Sequence, residues 1–148
     1  MGVEIVFQKY EQDGNIQTIE HDGKLLAHIY RSGLRTESVR FLTPDFYTLQ
    51  LGLIERTKGD IIIEHGHNPN IEYKVDTTQE FLYLEKGRLL VKISTDTFEP
   101  VSETVLEAGD FILLVGGTHG FEMLEDCRII EVKQGPYPGD EIAKFYRS

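Results

Sequence analysis

Two histidines one residue apart, His65 and His67, follow directly on an apolar run, Ile61-Ile62-Ile63. In an extended chain alternate side chains share a face. Ile61, Ile63, His65 and His67 then point the same way, which puts two imidazoles at the end of an apolar face. That is either an unusual way to finish a core strand or half of a metal site. The other chemistry-bearing residues are more scattered. His21 adjoins an Asp22-Gly23 turn and reads as exposed, while His28, within LLAHIYR, reads as an edge or surface histidine. Cys127 is the single cysteine, with no base nameable beside it, and reads as a small strand residue that excludes an internal disulfide. Arg31, Arg35 and Arg40 read as a solvated basic face.

The elements that must position these residues read as strands. Short apolar or alternating runs fall at 3–10, 25–31, 47–54, 60–67, 79–86, 88–95, 103–107, 110–115, 119–125 and 128–134, with Gly, Asp, Asn or Pro between them. Residues 139–147 suit a short terminal helix and 43–47 a single turn. Many short strands at this spacing predict an all-β sandwich or barrel. Alternation predicts a core of Leu82 and Leu84, of Leu89, Val91 and Ile93, of Phe121 and Met123 behind His119, and of Ile130 and Val132.

The 148 residues suit one domain, 1–148, divided into an N-terminal strand layer (1–45), a barrel (46–134) and a C-terminal tail (135–148). A net charge of -10 argues against nucleic acid or an anionic membrane surface as partner, since both need a basic footprint. The opening MGVEIVFQKYEQDG lacks the blocks of a signal peptide, and no apolar run is long enough to span a bilayer. A cytoplasmic protein is expected.

From Gly59 to His119 the chain resembles the cupin superfamily. The first cupin motif runs Gly, five residues, His-x-His, three or four residues, Glu, six residues, Gly. Here five residues separate Gly59 from His65-Gly66-His67, and six separate Glu80 from Gly87. The second motif runs Gly, five residues, Pro-x-Gly, two residues, His, three residues, Asn. Here Gly109 is followed by five residues, Val115-Gly116-Gly117 and His119. The departures are twelve residues between His67 and Glu80, Val115 for proline, one residue before His119, and Met123 for asparagine. Glu72, four residues after His67, competes for the glutamate role, but only Glu80 keeps the spacing to the turn glycine.

The resemblance implies a double-stranded β-helix, a jelly-roll barrel with an extra N-terminal strand layer. It also implies one divalent transition metal, Fe, Mn, Zn, Ni, Co or Cu, held by His65, His67, Glu80 and His119, a mixed nitrogen and oxygen set that suits such ions. Gln79 is a candidate to orient a ligand ring. The flanks, TPDFYTLQLGLIERTKGDIIIEHGHNP and GGTHGFEMLEDCRIIEVKQGPYPGDE, resemble small stand-alone cupins met beside genes for surface-polysaccharide or nonulosonic-acid synthesis. The expected ligand is accordingly a small polar molecule such as a sugar or sugar acid, met by isomerase- or epimerase-like chemistry with Glu72, Tyr73 and Lys74 as acid or base. A mononuclear iron dioxygenase and a non-catalytic binding or regulatory module are the alternatives. A homodimer is expected, and loop 68–78 is read as either a lid over the site or an element of the dimer.

Overall fold

The computed structural model describes residues 13–148 and is nearly all β. The strands are β1 (Ile16–His21), β2 (Lys24–Tyr30), β3 (Val39–Phe41), β4 (Gly52–Ile54), β5 (Glu80–Lys86), β6 (Arg88–Ser94), β7 (Pro100–Glu107), β8 (Phe111–Leu114), β9 (Thr118–Met123) and β10 (Arg128–Lys133). One short helix, α1 (Asp140–Ala143), lies in the C-terminal tail. Every strand pairing is antiparallel. A five-stranded sheet has the order β1-β2-β8-β5-β10, a three-stranded sheet the order β7-β6-β9, and β3-β4 form a separate ribbon.

The two larger sheets share a core. Leu26, Ile29, Leu82, Leu84 and Ile112 of one pack with Leu89, Val91, Ile93 and Leu106 of the other. The turn between β5 and β6 needs Gly87: its φ is +96°, and a Cβ there would meet the Asp126 carbonyl oxygen at 2.3 Å. The five-stranded sheet is covered on its outer side too. Tyr30 and Leu113 pack there with Leu34, Leu42 and Tyr47 from the segment that leads to the ribbon. Asp110 ties the layers together. Its carboxylate accepts from Arg31 Nη1 (2.9 Å) and from the backbone N–H groups of Ser32 (2.9 Å) and Glu107 (2.8 Å). Arg31 also donates to the Val105 carbonyl and to Thr104, so β2, β7 and β8 meet at one buried charge pair.

Several expectations are met. The alternation of β5 and β6 is as read, and a helical turn does occur within 139–147. Other expectations are corrected. Residues 60–67 form no strand, and of 47–54 only Gly52–Ile54 pairs. β1 and β3 lay outside the strands read from sequence, while 3–10 lies outside the described residues. β1 and β2 lengthen the larger sheet. Ile130 and Val132 face solvent, because Ile129 is the β10 residue that packs on the core; Met123, on β9, is also exposed. Of the three arginines only Arg35 is solvated, on Glu55; Arg31 and Arg40 are part-buried and pair with Asp110 and Asp13.

His28 is buried, not at a surface. Its Nε2 lies 2.8 Å from the Tyr47 hydroxyl and its Nδ1 3.2 Å from Thr18 Oγ1. Burial pushes the Tyr47 hydroxyl up in pKa, which keeps it a donor to a neutral ring, and lowers His28 from 6.5 to about 4. Between those two values the unfolded chain takes a proton that the native state refuses. Stability is therefore lost as pH falls through this window, and urea unfolding should show about 2 kcal/mol less at pH 5 than at pH 7 from this residue. His28→Gln should flatten that slope; an unchanged slope would place the acid sensitivity elsewhere.

Candidate functional site

β5 opens with Glu80, and β9 carries His119 on the facing sheet. The strand pleat turns both inward, and His119 Nε2 lies 3.3 Å from Glu80 Oε2. β10 runs beside β5, with Lys133 opposite Glu80 and Glu131 opposite Leu82. Ile129, Glu131 and Lys133 share its inward face, and Lys133 Nζ lies 3.6 Å from Glu131 Oε1. Burial alone would raise the Glu80 carboxyl. Hydrogen bonds from His119 and Glu131, with the charges of His119 and Lys133, instead bring it down to about 2. Glu131 moves the other way, raised by its hydrogen bond to Glu80, by burial and by the Glu80 charge. The two carboxyls therefore titrate as a pair, with Glu80 the more acidic of the two.

These residues lie in the wall of a cavity of about 980 Å³. Its polar side is Glu80, His119, Glu131 and Lys133, with Ser94 and Thr118 nearby. Its aromatic side is Phe98, Phe121, Tyr137 and Tyr146. The tail, residues 135–147, closes over part of the opening. Arg147 Nη2 donates to the Phe98 carbonyl (2.6 Å), its guanidinium lies 5.4 Å from the Phe98 ring, and the Phe98 and Phe145 rings meet at 5.7 Å. Lys133 lies 5.3 Å from the Tyr137 ring. A cavity of this size with a few convergent polar groups is how small-ligand sites are built.

The structure brings Glu80 and His119 together but leaves His65 and His67 apart from them. Both of the latter are exposed in the segment before β5, their rings 5.5 Å apart. The His65 Nδ1–H donates to the Ile63 carbonyl (2.7 Å), which leaves its Nε2 as the lone-pair nitrogen. Glu72, Tyr73 and Lys74 are exposed in the same segment, with Lys74 3.4 Å from Asp76. Of that loop, Val75 and Thr78 reach the cavity wall. Gln79 is buried, but its Oε1 accepts from the Leu49 N–H, so it fixes the chain below the ribbon rather than orienting a histidine. Cys127 donates to the Arg88 and Glu125 carbonyls, at 3.2 and 3.3 Å.

Among the described residues, no group of three or more His, Cys, Asp or Glu is placed to hold a metal ion. The nitrogen and oxygen donors of a transition-metal site are present, but in this single chain they stand two and two. As arranged, one chain does not fit the metal. Glu131, Lys133, Tyr137 and Arg147 are site residues the sequence reading missed. The signal for the first two was the alternation of β10, read in the opposite phase. No helix among the described residues is long and apolar enough to cross a membrane. No protein-family model matches the chain, and comparison with curated proteins and with solved structures finds no match.

Proposed function

We propose that this chain is a small cupin, a double-stranded β-helix that binds a sugar acid or a similar polar ligand in the cavity above Glu80 and His119. One observation carries the reading: two neighbouring carboxyls, an imidazole and a lysine line a cavity of about 980 Å³ together with aromatic rings, ample room for a sugar derivative. Aromatic faces suit the C–H surfaces of a sugar ring, and Lys133 suits a carboxylate. Glu131, the less acidic carboxyl, and Glu80, the more acidic one beside His119, are suited to moving protons on a bound ligand. That favours isomerase- or epimerase-type proton transfer over oxygen chemistry, although fold alone does not choose a reaction. The divalent metal belongs to this proposal through the donor types of His65, His67, Glu80 and His119. In one chain Glu80 and His119 meet, while His65 and His67 stand apart from them.

Calorimetry with a uronic acid, its neutral sugar and a related nucleotide sugar tests the reading. The acid should bind more tightly than the neutral sugar, and Lys133→Met should remove about 1.4 kcal/mol, roughly tenfold, of that preference. If none of the three binds at concentrations on the order of 1 mM, the ligand class is wrong.

A further inference from the structure

The C-terminal tail, rather than loop 68–78, covers the cavity; from that loop only Val75 and Thr78 reach the wall. The tail has a fixed root, a loose middle and a held end. At the root the Gln134 N–H donates to the Gln79 carbonyl (3.0 Å), and the Gln134 side-chain oxygen accepts from the Thr48 hydroxyl (2.9 Å). Two glycines follow with open space around them. A Cβ at Gly135 or Gly139 would meet nothing within 4 Å, and Gly139 has a φ of +101°. Beyond them α1 buries no residue, and Ile142 is 78% exposed. A segment with so few buried contacts opens easily.

The held end rests on Phe98. Arg147 donates to its carbonyl and lies over its ring, and the Phe145 ring packs against the same ring. Phe98 stands in the turn between β6 and β7 with a φ of +66°, a backbone region that bulky residues seldom take. The turn is braced. The Phe98 N–H donates to the Thr95 carbonyl (3.0 Å), and the Thr118 hydroxyl of β9 donates to that carbonyl as well (2.8 Å). An unfavourable conformation persists only where its surroundings over-determine it. Here it presents a ring and a carbonyl on which the tail closes.

Charge decides what holds it closed. The wall carries Lys92, Lys133, Lys144 and Arg147 against Glu80 and Glu131, in a chain of net charge -10. Lys92 pairs with Glu122, Lys133 with Glu131 and Lys144 with Asp140. Arg147 has no carboxylate within ion-pair distance among the described residues. Its bond to Phe98 leaves further N–H donors of the guanidinium fork for an oxyanion.

We propose that Arg147 binds an oxyanion of the ligand, a carboxylate or a phosphate, at the cavity mouth, and that the bound anion fastens the tail shut. The inference rests on the small-ligand reading above and adds a second residue that selects for charge, at the mouth, to Lys133 beside Glu131. With the cavity empty, the tail swings at Gly135 and Gly139 and admits the ligand. With it filled, Arg147 bridges the anion and Phe98.

A thiol on the cavity wall reports the motion. Ser94→Cys in a Cys127→Ser background leaves one cysteine in the chain, and its rate of reaction with an uncharged maleimide reads how often the mouth is open. In this parent, Arg147→Met and Phe98→Gly should each speed labelling on the order of tenfold. Neither residue belongs to the core, so the fold should be unaffected. Inorganic phosphate and glucuronate should slow labelling of the parent, glucose should not, and Arg147→Met should abolish the slowing. Labelling of Arg147→Met at the parent rate overturns the latch. Slowing that persists in Arg147→Met, equal slowing by glucose, or no slowing by either anion overturns the anion role. Slowing by phosphate that needs Arg147, with none by glucuronate, upholds the inference and sinks the sugar-acid reading.

Discussion

Asp110→Ala will cost on the order of 3–5 kcal/mol of stability, the largest loss expected from a single polar substitution in this fold. The Asp110 side chain is buried and accepts from Arg31 and from the Ser32 and Glu107 N–H groups. Alanine leaves a cation without its partner and two backbone donors without an acceptor, and each such donor costs about 1–3 kcal/mol when it stays dry. Arg31 is about a third exposed, so part of its charge can rehydrate, and Arg31→Met should cost less than Asp110→Ala. Urea unfolding of the two single variants and the double variant gives the coupling directly. Equal losses in all three would show that Asp110 and Arg31 act only as a pair; a loss under about 1 kcal/mol for Asp110→Ala would show that the backbone donors find other partners.

On the metal reading proposed above, His119→Ala, His65→Ala and His67→Ala should each remove most of the bound metal, whereas Glu72→Gln should leave it in place. Losing a group that merely orients a ligand ring typically costs 10–100-fold in metal affinity, so losing a ligand should cost at least about 100-fold. Glu80→Gln should weaken binding with less effect on the fold, since an amide keeps the shape and hydrogen-bond reach but gives up the charge. Titration with Co²⁺ or Zn²⁺, followed by elemental analysis after gel filtration, reads these differences. If Glu72→Gln strips the metal and Glu80→Gln does not, the glutamate of the first motif is Glu72. If His65→Ala/His67→Ala retains full metal, the site is elsewhere.

The strands around the Gly87 turn were legible because their pattern is strict. Leu82 and Leu84 before it, and Leu89, Val91 and Ile93 after it, keep one face apolar through both strands. β10 was misread because Ile129 and Ile130 are both apolar. The phase is set by a register shift between Arg128 and Ile129, which depends on the partner strand and leaves no mark on β10 itself. That one shift turns Glu131 and Lys133 inward and hides two of the cavity's charged residues from a sequence reading. His28 was misplaced for a related reason. What buries it is Tyr47, from a segment far along the chain that covers the outer side of the sheet. The alternation of Ile61, Ile63, His65 and His67 is present in the sequence, but alternation states only which face a strand would have. It does not supply a partner, and residues 60–67 pair with no strand among the described residues.

The larger sheet has a consequence for how the chain is made. β2 lies between β1 and β8, and Tyr30 pairs with Phe111. A ribosome adding about 5–20 residues per second delivers β8 some 4–16 s after β2. Through that interval β2 has one edge paired with β1 and the other open, with Leu26, Ile29 and Tyr30 uncovered. An isolated two-stranded hairpin is at best marginally stable in water. The first hairpin among the described residues is thus among the last elements to become secure, and the nascent chain offers a holding chaperone a short apolar strand until residues 111–114 emerge to claim it.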